Sequence, residues 1–259
     1  MSPTPLAALS ALGWILAALL LQYVLCRRLI MATARHLAEQ LPLSFHYPTR
    51  DVALTLAVAG AGLTALGIAW AVSWANGENL LSLFTEHLLP LQLPIGILLG
   101  LGEASVSMLL SSLALAVFRP WRQRQIGPDL INELRTIGRA GWVRAYRQTL
   151  QIWPAPLGWA SIALALLGEE LLFRGLAVRL LAPEGFPFAL VASTFLFVAV
   201  QAQGMPSWFS ALPAMCGALV IGPINAWLFM TVPNILPLEI AHLTFFCSHD
   251  FIISPLRCS

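Results

Sequence analysis

Glu169 and Glu170 stand side by side in Gly168-Glu-Glu-Leu-Leu-Phe-Arg-Gly175, within a run that is otherwise almost wholly apolar from Pro154 to Val178. A charged side chain at bilayer depth costs about 2.5–3.5 kcal/mol on insertion scales, so two adjacent acids there need a purpose. On a helix Glu170 lies one turn before Arg174, which can reach back to either carboxylate and to Glu170 most easily. Neighbouring helical residues diverge by about 100°, so the two acids enter different surroundings. One can pair with Arg174 while the other stays free in a dry pocket, positioned as a general base. A buried ion pair that only fixed helix packing would need one acid, not two.

Other polar residues recur downstream. Gln201 follows Phe197 by four positions, and His242 lies in Pro237-Leu-Glu-Ile-Ala-His-Leu-Thr-Phe-Phe246. His249 comes seven residues after His242, on the same helical face two turns on, with Asp250 next to it. A lone histidine in an apolar helix is commonly a satisfied core residue. A glutamate pair, a glutamine and histidines within one segment point instead to a shared site. Glu103, a single acid in another apolar run, is expected to hold a structural hydrogen bond inside the bundle.

These residues need membrane helices to position them. The 259-residue chain is 58% hydrophobic and 10% charged, more apolar surface than a soluble domain can hide. The fold class is all-α: a polytopic transmembrane helix bundle of about seven (6–8) spans. The apolar runs are Leu6–Leu25, Val52–Trp74, Ile95–Phe118, Pro154–Leu181, Phe186–Gln201, Phe209–Met230 and Ile235–Ile253. Arg27-Arg28 reads as a stop after the first span, with residues 31–50 as an interfacial helix and turn, and Leu80–Leu93 reads as an interfacial or re-entrant piece. Three parts result: N-terminal helices over 1–118, a basic amphipathic connector over 119–153 lying on an anionic leaflet, and a helix bundle carrying the site over 154–259.

The chain contains no lysine, and its arginines cluster at 27–50 and 119–147, with none over 75–93. The positive-inside rule puts the two basic segments in the cytoplasm, the N-terminus outside and the C-terminus inside. The expected location is the cell inner (plasma) membrane of a bacterium. Cys26, Cys216, Cys247 and Cys258 show no CxxC spacing, which argues against a zinc knot or disulfide framework. The apolar face interleaved with the connector's arginines favours lipid over nucleic acid.

Glu169-Glu170-x-x-Phe173-Arg174 resembles the first motif, EExxxR, of the CAAX-protease and bacteriocin-processing family of glutamic intramembrane proteases. Phe197-x-x-x-Gln201 falls where that family has FxxxH. The run from Gly217 to His242 resembles the approach to its HxxxN motif, with His242 matching the histidine and Phe246 standing at the asparagine. The resemblance covers about Pro154 to Ser254. It implies hydrolysis of a peptide bond of a protein or peptide substrate within or at the bilayer, near a membrane-associated C-terminal or leader segment, with no cofactor and no metal. Carried over by position, Glu169 is the base that activates water, Glu170 and Arg174 fix its geometry, and His242 donates to the oxyanion. Gln201 can hold a water but cannot take a proton near neutral pH, and Phe246 has no donor. His249 is a candidate to take over one of these functions.

Three other readings compete. A catalytically inactive relative could serve as a membrane scaffold or immunity protein that binds a peptide, which the changes at Gln201 and Phe246 favour. A zinc site of Glu169 or Glu170 with His242 and His249 is chemically sensible, but Arg174 opposes a cation beside the glutamates. In a small transporter, Glu103, Glu169 and Glu239 would form a proton path, yet no repeat symmetry is present.

Overall fold

The computed structural model describes residues 5–86, 90–137 and 141–253. It is an all-α polytopic bundle, with no strand among the described residues. The helices are α1 (Pro5–Leu20), α2 (Arg27–Gln40), α3 (Thr49–Ala75), α4 (Ser82–Thr85), α5 (Gln92–Ile126), α6 (Leu130–Ile137), α7 (Gly141–Ile152), α8 (Ala155–Glu170), α9 (Arg179–Leu181), α10 (Phe186–Gln201), α11 (Trp208–Thr231) and α12 (Leu236–Ile253). π-helical turns join α1 to α2 (Leu21–Cys26) and α8 to α9 (Leu171–Val178).

Four helices are long and apolar enough to cross a bilayer: Leu9–Gln40, Thr49–Ala75, Gln92–Ile126 and Trp208–Thr231. Phe186–Gln201 and Leu236–Ser248 are shorter apolar helices, and α8 continues through its π turn into α9. These seven rods match the seven apolar runs of the sequence. Two boundaries differ from expectation. The first helix does not stop at Arg27-Arg28 but continues to Gln40, because an arginine pair ends the apolar stretch without ending helical geometry. The basic connector is not one surface helix either. α5 runs on to Ile126 and α7 buries Ala145, Tyr146 and Thr149, so the α7 part of the apolar face packs against protein, while Trp121 and Ile131 stay exposed.

Small residues set the closest crossings. A Cβ on Gly62 of α3 would come within 2.5 Å of the Leu164 carbonyl oxygen, and one on Gly168 within 2.7 Å of the Ala65 Cβ. The α5–α12 crossing is as tight, since a Cβ on Gly100 would lie 2.3 Å from the Ala241 carbonyl oxygen. Backbone-to-backbone approach of this kind is how helices associate without a hydrophobic drive in lipid. Gly100→Ala is therefore expected to destabilise the protein by about 1–3 kcal/mol through overpacking. Gly102→Ala, whose Cβ would meet nothing within 4 Å, should not. Thermal unfolding of both variants in detergent checks this.

Polar ties fix the ends. Arg144 meets Asp51 at 2.7 Å and the Trp153 indole donates to Thr55 Oγ1 at 2.7 Å, fastening α7 and the start of α8 to the start of α3. At the opposite end of α3, Glu78 pairs with Arg179. Arg122 grips Glu133 through two bonds of 2.8 and 3.0 Å. Glu133 also accepts from Ser207, which caps α11 reciprocally with Ser210.

Candidate active site

The glutamate pair closes α8 just before the chain widens into the π turn Leu171–Val178, which carries Arg174. Such turns recur at functional sites because they re-aim side chains that a regular helix would hold in register. The two acids separate as their divergence around the helix requires. Glu170 is fully buried, whereas Glu169 is partly exposed to a hollow in the bundle.

Three donors converge on Glu170 Oε1. Arg174 Nη1 lies 3.3 Å away, His242 Nδ1 2.9 Å and Asn225 Nδ2 3.5 Å. An ionised carboxylate only accepts, so the Nδ1 proton sits on His242 and its Nε2 remains for other work. Arg174 is itself enclosed. Its Nη2 donates to the Ile221 carbonyl at 3.3 Å, and its guanidinium lies 4.5 Å above the Phe197 ring. The Phe197-x-x-x-Gln201 spacing thereby acquires a physical meaning. Phe197 supports the arginine by cation–π attraction, while Gln201, one turn on, stands with Glu169 on the same cavity walls.

Glu169, Gln201 and His242 all line a small cavity of about 70 Å³ with Phe197, Phe245 and Tyr146. A second cavity of about 510 Å³ opens on the other side, bounded by Tyr23, Arg27, Arg50, Ala57, Ala61 and Arg144 among others. The linings share Trp142, Tyr146, Glu169 and Gln201. Glu169 therefore stands where the two hollows meet. A carboxylate in that setting, with a peptide group beside it, can take a proton from water and return it.

The structure thus brings together Glu169, Glu170, Arg174, Gln201 and His242. His249 lies on α12, but its side chain is outside the described residues. Glu170 holds His242, because α12 presents that ring to the inner carboxylate. One expectation needs correction. Glu103 is buried, yet neither carboxylate oxygen has a hydrogen-bond partner among the described residues. Phe246, at the position of the third-motif asparagine, is buried with its ring edge-on to Tyr146 and Trp159 at 5.3 and 6.2 Å. The sequence reading passes over Asn225 and Tyr146. Asn225 carried a usable signal as a lone amide in the apolar run of α11, whereas Tyr146 was hidden in the arginine-rich connector.

Residues 142–247 match the family model described as type II CAAX prenyl endopeptidase Rce1-like. That segment begins at Trp142 in α7 and contains every site residue with a described side chain. The resemblance first seen in short motifs is borne out over this part of the chain. No curated protein and no solved structure matches the chain.

Proposed function

We propose that this Rce1-like membrane protein is an intramembrane endopeptidase that hydrolyses a peptide bond near the membrane-associated C-terminal or leader segment of a protein substrate. The observation that carries this reading is the division of labour between the two acids. Glu170 is consumed by Arg174, His242 and Asn225, and Glu169 is left at the junction of the two cavities.

In this mechanism Glu169 takes a proton from water as the water oxygen bonds to the scissile carbonyl carbon. Negative charge passes to the carbonyl oxygen, and His242, held through Nδ1 by Glu170, donates from Nε2 when its ring carries both protons. The proton held by Glu169 then goes to the departing amine as the C–N bond breaks. Gln201 cannot relay a proton, so the Glu169 carboxylate handles the whole transfer. The large cavity, with apolar walls and arginines at its rim, suits an extended peptide arriving from the membrane surface. The test is a cleavage assay in membranes that compares wild type with Glu169→Ala on candidate C-terminal tails. Cleavage by wild type alone supports the reading. No cleavage of any tail, or equal cleavage by both proteins, removes it in favour of a peptide-binding scaffold.

The proposal places the arginine-lined end in the cytoplasm, following the positive-inside rule, with the protein in the inner membrane. Gly77→Cys and Pro128→Cys in a cysteine-free background test this. An impermeant thiol reagent applied to intact cells should label position 77 and spare position 128. The opposite pattern would reverse the orientation.

A further inference from the structure

We infer that the Tyr146 hydroxyl is a second donor to the oxyanion, opposite His242, and hence a further catalytic residue. The inference rests on the protease reading above. Among the described residues, four line both cavities: Trp142, Tyr146, Glu169 and Gln201. A peptide carbonyl attacked by water from Glu169 must lie at that junction, within hydrogen-bond reach of its donors. Gln201 stands beside Glu169 on both walls, suited to holding the water rather than the carbonyl oxygen. The Trp142 indole nitrogen is sealed inside the protein, with no hydrogen-bond partner among the described residues. The Tyr146 hydroxyl remains, and no described residue hydrogen-bonds it.

Its position is fixed by neighbours rather than by a bond to oxygen. The ring packs edge-on to Phe246 at 5.3 Å and against Trp142 at 5.5 Å. Phe246 follows His242 by one helical turn of α12. The aromatic side chain that takes the place of a donor on α12 therefore seats one from α7 beside the same site. A neutral phenol suits the task, since it donates a short O–H bond to a developing negative charge without adding a charge of its own. As the water oxygen bonds to the carbonyl carbon, the π electrons move to the carbonyl oxygen, which accepts from Tyr146. When the C–N bond breaks they return, and the phenol keeps its proton throughout.

Tyr146→Phe removes the hydroxyl and keeps the ring contacts. The expected result is a fall in kcat on the order of 10²–10³-fold, as for loss of one oxyanion donor, with KM changed by less than about threefold and unfolding temperature unchanged. A peptide bearing a phosphonate at the scissile position mimics the tetrahedral oxyanion. Its affinity should fall in parallel with kcat, while that of an uncleavable ground-state peptide should not.

Retention of kcat in Tyr146→Phe, or a rise in KM alone, overturns the assignment. So does a loss of kcat in Trp142→Phe as large as that in Tyr146→Phe, which would move the donor to the indole. An unfolded Tyr146→Phe protein overturns it as well, because a hydroxyl with no described partner is not needed for folding. A wild-type protein without turnover removes the protease reading itself, and this assignment with it. An active wild type that is indifferent to the hydroxyl removes only the assignment.

Discussion

Glu169→Gln is expected to abolish peptide-bond hydrolysis while leaving the fold intact. The amide keeps the size of the carboxylate, but it cannot take a proton from water. Loss of a positioned general base costs typically 10²–10⁴-fold, and here the base has no substitute, because Gln201 stands where a histidine would share the proton. Stability should change little. Glu169 is partly exposed to the cavities, and it is Glu170 that carries the buried arginine. Turnover in membranes and thermal unfolding in detergent, measured on the same preparation, read the two effects separately. Full activity in Glu169→Gln would remove the glutamic mechanism.

Glu170→Gln is expected to cost both activity and stability. The loss should be roughly 3–5 kcal/mol, the range for removing one partner of a buried ion pair. Arg174 is about 1% exposed. Without the Glu170 charge, its remaining contacts are the Ile221 carbonyl and the face of Phe197. His242 loses the acceptor that orients it, so its Nε2 is no longer held toward the cavity. A Glu170→Gln/Arg174→Met double variant provides an internal check. Replacing both members of a buried pair is often close to neutral, so the double variant should unfold later than Glu170→Gln alone, yet remain inactive. If Glu169→Gln destabilises more than Glu170→Gln, the roles of the two acids are reversed.

By itself, the sequence determined the features set by local period and by the cost of charge in lipid. Apolar runs of spanning length yield the seven rods, because a chain in hydrocarbon must satisfy its own backbone and does so as a helix. The one-turn separation of Glu170 and Arg174 sufficed to pair them, and the same separation put Phe197 and Gln201 on one face, toward the glutamates. Tertiary structure decided the contacts that depend on how helices rotate and cross. His242, 72 residues from Glu170 in sequence, bonds the inner acid, and Asn225 joins it from α11 across 55 residues. No local period encodes either partner. Packing also ran against local expectation at three places. α7 turned its apolar face into the bundle, Glu103 was left without a hydrogen-bond partner among the described residues, and Phe246 met Tyr146 where the motif suggested an amide. In each case the complementary surface belongs to a distant helix. Close crossings at Gly62, Gly100 and Gly168 fix where those surfaces meet.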